Sequence, residues 1–168
     1  MFYKLIDSNY RPETGESIVT IRTKYGDFIG YARVHPEDSD IESEFTGCAF
    51  AETRAIAEAH KVELKEKRIK LKAYIDLEKE VKQMKGYNPY SVESRRLRRK
   101  IYELDREIKE KADILKKLQR KIIEDYKAIG YEMNVTTLCA ADYYTPQKRE
   151  RVIFIGNRIG ATNYHPKP

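Results

Sequence analysis

The sequence predicts an α+β fold: a small antiparallel β-sheet plus a long antiparallel two-helix hairpin, oligomeric in solution. Three observations predict it. Residues 1–34 hold β-rich runs broken by turn residues. Residues 64–129 place apolar side chains at steps of three and four. Charged residues make up 36% of the 168-residue chain and mean hydropathy is −0.74, which suits long solvated helices better than a thick core.

The first run, Phe2 to Ile6, precedes a turn-rich stretch from Arg11 to Gly15. Ser17–Lys24 and Asp27–Val34 then read as two strands joined at Tyr25-Gly26, a hairpin signal. Along the first of these, Ile18, Thr20 and Arg22 share one face, and Val19, Ile21 and Thr23 the other. Both faces carry apolar residues, so either can be the buried one. His35 to Asp40 is an acidic loop with no regular ligand spacing, read as solvated and not as a metal site.

Thr46 suits a helix N-cap, and no proline follows until Pro89. Leu64, Leu71, Tyr74, Leu77, Val81 and Met84 form a stripe, which predicts a helix from about 47 to 85. Gly86 suits the position just past its end. Asn88 can cap a second helix with Pro89 at its first position, and Ser91 is the alternative cap. The second stripe is Leu97, Ile101, Leu104, Ile108, Ala112, Leu115, Leu118, Ile122, Tyr126 and Ile129, closed by Gly130. Two helices with one seam each make a thin core, so self-association into a homo-oligomer is expected. After Gly130, Tyr131–Cys139 and Arg151–Gly156 read as strands. The organisation expected is a β-hairpin region over 1–45, a helical hairpin over 46–130 and a C-terminal β-hairpin over 131–168.

Charge and composition narrow the function classes. Residues 1–50 hold 5 Lys/Arg against 9 Asp/Glu, residues 51–130 hold 23 against 15, and residues 131–168 hold 5 against 3. The basic excess in the middle attracts phosphates, or is the surplus of a solvated helix pair. Thirteen Tyr and no Trp suit either wet contact surfaces or a core edge. Cys48 and Cys139 form no metal-binding spacing, and His35, His60 and His165 lie in different elements. No catalytic group, metal or cofactor is therefore expected. No signal peptide opens the chain and no apolar run reaches membrane length, so a cytoplasmic location without a membrane partner is expected.

Three places combine charge with rings or turns. Arg22, Thr23 and Tyr25 sit in the first hairpin. Tyr87 and Asn88 sit at the helical break, close to Arg95, Arg96 and Arg99. Each offers phosphate binding or stacking. The other reading makes Tyr87 a lid on a helix end and the arginines a solvated face. Gln147, Arg149 and Arg151 lie between the last two strands, where they bind an anion or pair with local carboxylates such as Glu150.

That last segment resembles a known family. Ala141-Asp-Tyr143, Pro146-Gln-Lys-Arg-Glu-Arg-Val152 and Ile155-Gly-Asn-Arg158 are similar to the eighth conserved motif of DNA cytosine-5 methyltransferases. The lead-in, Tyr126-Lys-Ala-Ile-Gly-Tyr131, and the closing His165-Pro-Lys-Pro168 are similar too. The resemblance spans residues 122–168 and implies that Gln147, Arg149 and Arg151 lie by the DNA backbone and the flipped cytosine. Tyr144-Thr145 departs from the small residue and Val usual there. The family also needs a Gly-rich loop for S-adenosylmethionine, a Pro-Cys nucleophile and a Glu-Asn-Val triplet. Here Cys48 follows Gly47, Cys139 follows Leu138, the Glu-Asn-Val triplet is missing, and Gly26 and Gly30, the candidate loop glycines, have no such arrangement.

Residues 1–130 resemble small phage-encoded proteins, on Val19–Gly26, His35-Pro-Glu-Asp38, Ser43–Cys48 and Ala51-Glu-Thr-Arg54. The group they look like is the anti-Thoeris nucleotide sponges. This implies a counter-defence protein that sequesters a small anionic nucleotide, cyclic ADP-ribose-like or a cyclic oligonucleotide, without catalysis. Two alternatives stand beside it. One is an anti-CRISPR-type inhibitor that binds nucleic acid or a bacterial defence nuclease. The other is a non-catalytic fragment or subunit of a DNA cytosine-5 methyltransferase.

Overall fold

The computed structural model describes residues 2–34, 43–139, 150–160, 162 and 164. The acidic loop from His35 to Asp40 and the residues Gln147, Arg149 and His165 lie outside the described residues. The fold is α+β, with a three-stranded antiparallel sheet and two long helices. It divides into two compact units, Met1–Leu118 and Gln119–Pro168, with the boundary inside the second helix.

In the first unit β1 (Lys4–Arg11), β2 (Glu16–Thr23) and β3 (Gly26–Arg33) pair in chain order. The first apolar run is thus the start of a full strand that continues to Arg11. Gly15, at φ +63°, turns the chain into β2. The face of β2 that the sequence leaves undecided is settled by the helix that covers it. Ser17, Val19 and Ile21 are at most 1% exposed, while Ile18 and Thr20 face the other side. On that outer face Glu16 accepts a hydrogen bond from the Tyr31 hydroxyl at 2.7 Å and lies near Arg11 and Arg33.

The covering helix is α1 (Glu44–Gln83), which packs on β2 and β3. It starts earlier than expected. Ser43 is the cap, and its Oγ accepts the Thr46 N–H at 3.3 Å, so Thr46 is the residue being capped and not the cap. The contact with the sheet is made by small residues. Gly47, Ala51, Ala55 and Ala59 recur every four positions, and all are buried. A Cβ on Gly30 would stand 1.7 Å from the Ala51 carbonyl oxygen, and one on Gly47 would stand 2.2 Å from Ser17 Oγ. Helix and sheet backbones therefore touch, which small residues alone permit.

After α1, Gly86 at φ +91° reverses the chain. The second helix, α2 (Val92–Ala128), takes the alternative cap: the Ser94 N–H donates to Ser91 Oγ at 3.1 Å. Asn88 is committed elsewhere, with Oδ1 accepting the Tyr90 N–H at 2.8 Å and holding the turn around Pro89. Within the first unit the helices run antiparallel in one register. Glu63 meets Lys111, Lys67 meets Glu107, and Lys100 lies 5.7 Å from the centre of the Tyr74 ring. All three pairs are symmetric about residue 87, the turn. Leu71, Tyr74, Leu97, Ile101, Leu104 and Ile108 are half-buried, because two helices cover one side of each stripe.

In the second unit β4 (Glu132–Cys139) and β5 (Glu150–Asn157) form a sheet of their own. Among the described residues they pair with each other and with no other strand. No helix among the described residues is long and apolar enough to cross a membrane.

Candidate functional site

The motif-bearing hairpin is entered through a built helix end. The Tyr131 N–H donates to the Tyr126 carbonyl at 3.1 Å, and the Gly130 N–H donates to the Lys127 carbonyl at 3.0 Å. This pair of bonds is the Schellman arrangement, and its left-handed residue is Gly130 at φ +90°. The Tyr126 and Tyr131 rings meet edge to face, centroids 5.6 Å apart, which supplies the apolar contact across the cap. The lead-in Tyr-Lys-Ala-Ile-Gly-Tyr is thus a device that stops α2 and fixes where β4 starts. Gly130→Ala forces a side chain into that conformation and costs about 1–2 kcal/mol. Its expected signature is faster amide exchange at Gly130 and Tyr131, with β2 unaffected. Unchanged exchange at both would contradict this role.

β4 and β5 stay in register along their length, from Glu132 opposite Asn157 to Cys139 opposite Glu150. Gly156 leaves room for Met133 and Tyr131, since a Cβ there would fall 2.3 Å from Met133 Sδ. Asn157 Oδ1 accepts the Ile159 N–H at 3.2 Å and ends the strand. Arg151 is placed on β5 opposite Leu138, at the end that adjoins residues 140–149 in the chain. Gln147 and Arg149 fall among those residues and so lie outside the described ones. A groove of 600 Å³ lined by Lys127, Gly130, Tyr131, Glu132 and Asn134 sits at the opposite strand end.

The residues singled out in the first hairpin are engaged with one another. Arg22 makes a two-pronged ion pair with Asp27, at 2.7 and 2.8 Å, directly across the ladder. The fork that would grip a phosphate is thereby filled by a carboxylate. Thr23 Oγ1 accepts the Tyr25 N–H at 3.0 Å and builds the turn, and Lys24 lies 4.8 Å over the Tyr25 ring. At the helical break Tyr87 is half-buried and its N–H donates to Met84 O. Arg99 pairs with Glu103 at 2.8 Å, and Arg98 folds back onto the Pro89 carbonyl. Arg95 and Arg96 are exposed. The structure does not bring the three places together within one described site.

Two clusters in the first unit were not read from the sequence. Lys61, Lys65, Arg68 and Lys72 line a groove of 380 Å³ along α1 with Leu64 and Ile69. Their steps of four, three and four put them on one helical face. The signal was present, as charge periodicity instead of apolar periodicity. The other cluster lies between α1 and α2. Glu63, 5% exposed, pairs with Lys111 at 2.8 Å and has Lys67 at 3.9 Å, and Lys67 also pairs with Glu107. Burial works to raise the Glu63 pKa, but the Lys111 hydrogen bond and charge, with Lys67, leave it lowered. His60, also 5% exposed, is lowered by burial and then by Lys111. Its Nδ1 stands 3.8 Å from Glu63 Oε2, too far for a hydrogen bond. Among the described residues no group of His, Cys, Asp and Glu could hold a metal ion.

Comparison with known proteins places the similarity in the C-terminal part. Residues 106–167 match the family model for C-5 cytosine-specific DNA methylase. Over 52 residues the chain is 36% identical to the type II methyltransferase M1.HphI of Haemophilus parahaemolyticus, covering 31% of this chain and 14% of that protein. Over 39 residues it is 51% identical to the type II methyltransferase M.BspRI of Lysinibacillus sphaericus, covering 23% of this chain and 9% of that protein. The chain therefore spans a small fraction of the length of these relatives. No solved structure matches.

These matches correct the main functional expectation. The phage counter-defence sponge for an anionic nucleotide finds no support in them, and the cytosine-5 methyltransferase segment replaces it. Two of the short segments that looked sponge-like, Ser43–Cys48 and Ala51–Arg54, lie where α1 is capped and meets the sheet. Gly30, Gly47 and Ala51 are where α1 meets the sheet, and Ser43 is its cap.

Proposed function

We propose that the chain is a DNA-contacting fragment or subunit of a cytosine-5 methylation system, which presents Gln147, Arg149 and Arg151 to the DNA backbone and to the target base. The observation that carries this reading is the match over residues 106–167, which takes in the whole Pro146–Val152 motif and its helical lead-in. The chemistry agrees, because planar guanidinium groups hold phosphate oxygens two at a time.

Methyl transfer itself needs groups supplied by other sequence. Neither cysteine follows a proline, so neither stands in the family's nucleophile context. The glycines do not fit the cofactor. The space at Gly30 is filled by the Ala51 carbonyl, and Gly26 is the tip of a hairpin with nothing within 4 Å of a built Cβ. No step through S-adenosylmethionine is therefore assigned to these residues. Self-association through the half-buried helical seam belongs to the same proposal. Light scattering of the full chain reads it, and a monomer mass removes it.

The test pairs a binding assay with an activity assay. The full chain is expected to bind duplex DNA and, alone with tritiated S-adenosylmethionine, to incorporate no label. Arg149→Gln/Arg151→Gln is expected to weaken DNA binding by at least about a hundredfold, as two charge-assisted contacts of about 1.5–3 kcal/mol each require. Label incorporation by the chain alone would overturn the non-catalytic part. Unchanged affinity in the double variant would overturn the DNA-contact part.

A further inference from the structure

We propose that the α1 face formed by Lys61, Lys65, Arg68 and Lys72 is a second nucleic-acid surface, which binds the phosphate backbone of duplex DNA. It rests on the DNA-contact reading above for the identity of the polymer, but on different residues in the other unit.

Cations outnumber carboxylates on this stretch of α1. Residues 61–72 hold six cations, Lys61, Lys65, Lys67, Arg68, Lys70 and Lys72, against two carboxylates, Glu63 and Glu66. Glu63 is spent on Lys111 in the helix seam, and Glu66 is the one exposed carboxylate among these residues. Lys67 is drawn into the seam by Glu107. Lys61 has Glu58 as a neighbour one turn back. Lys65, Arg68 and Lys72 have no carboxylate partner among the described residues, and all three are exposed. Elsewhere on the helices, exposed cations such as Lys79, Lys82, Arg99 and Lys109 are paired within one turn. Arg95, Arg96, Lys117, Arg120 and Lys121 of α2 are likewise exposed and without an ion pair among the described residues; the α1 cations differ in standing in file along one groove.

Its shape selects the ligand. The four cations lie in a line, about 16 Å from first to last at 1.5 Å per residue. A small anion is held by groups that converge on it, whereas these stand in file along a groove open to solvent. A duplex presents one phosphate per about 3.4 Å along each strand, which matches a linear array. A membrane surface requires a broad apolar face beside the cations. Here Leu64 is 7% exposed and buried in the fold, which leaves Ile69 as the exposed large apolar residue of the groove.

The test is fluorescence anisotropy with a labelled duplex across a potassium chloride series, for the full chain and for Lys65→Gln/Arg68→Gln/Lys72→Gln. Glutamine keeps the helix propensity, and an unchanged thermal midpoint confirms the fold. The salt slope of log affinity is expected to shrink by about 0.9 per lost contact, about 2.7 in all. A variant with wild-type affinity and slope overturns the proposal. Phosphatidylserine vesicles run in parallel. Vesicle binding that depends on the three residues, with a duplex slope that does not, overturns it in favour of a lipid surface. Arg149→Gln/Arg151→Gln separates the two readings. If that variant keeps the wild-type slope while the α1 variant loses it, the α1 surface stands and the hairpin reading falls. The reverse pattern removes the α1 surface alone.

Discussion

Gly30→Ala is expected to unfold the first unit or to lower its stability by about 3 kcal/mol, the upper end for inserting volume into a packed site. The added Cβ would fall 1.7 Å from the Ala51 carbonyl oxygen and 2.9 Å from the Ala55 nitrogen. Both obstacles are backbone, so no rotamer change relieves them. Ala51→Gly cannot rescue the variant either, because it removes a methyl group that is not the obstacle. Relief requires α1 to lift off the sheet, which also uncovers Val19 and Ile21, buried to within 1%. Gly26→Ala is the control. It meets nothing within 4 Å, though its φ of +120° strains an alanine, so its cost is that of backbone alone. Urea unfolding followed by far-ultraviolet circular dichroism reads both variants. A Gly30→Ala midpoint equal to that of Gly26→Ala would show that helix and sheet do not touch at this point.

Much of this fold can be read from local pattern, and the exceptions share a cause. The helices announce themselves because Leu97 to Ile129 step by three and four and because Gly86 and Gly130 mark their ends with positive φ. The Tyr126–Tyr131 segment is a complete local device, with cap, left-handed glycine and ring contact within six residues. What stays hidden is set by distant chain. Ile18 and Val19 are adjacent and equally apolar, and α1 decides which is buried. The close approach of the Ala51 carbonyl to Gly30 joins residues far apart in the chain and leaves no local mark. Of the candidate site, the Gln147–Arg151 segment is legible because its motif is contiguous. The α1 cations escape a reading that follows apolar residues and net charge, since their spacing matters more than their number. Arg22 reads as free until the ladder register sets Asp27 opposite it.

Glu63→Ala is expected to cost the first unit about 3 kcal/mol, the lower end for removing one partner of a buried ion pair. The lower end applies because Lys111 and Lys67 keep 15% and 18% of their side-chain exposure and regain some hydration when left alone. Replacing the pair together, Glu63→Leu with Lys111→Met, is expected to lie close to wild type, since it removes the desolvation cost along with the attraction. The same cluster fixes how stability varies with pH. Glu63 has its folded pKa lowered, so its contribution is present above the unfolded carboxylate value and is lost as pH falls through the folded one. His60 is also lowered, so below about 6.5, its ordinary value, the unfolded chain binds a proton that the buried imidazole refuses. Both groups therefore bind more protons unfolded than folded, and stability falls on acidification, first through His60 between pH 7 and 5 and then through Glu63. His60→Leu removes the first stage and leaves the second. Urea midpoints at pH 7, 6, 5 and 4 test this ordering. A flat wild-type profile between pH 7 and 5, or a His60→Leu profile parallel to wild type there, would show that the imidazole is not held neutral by its burial between the helices.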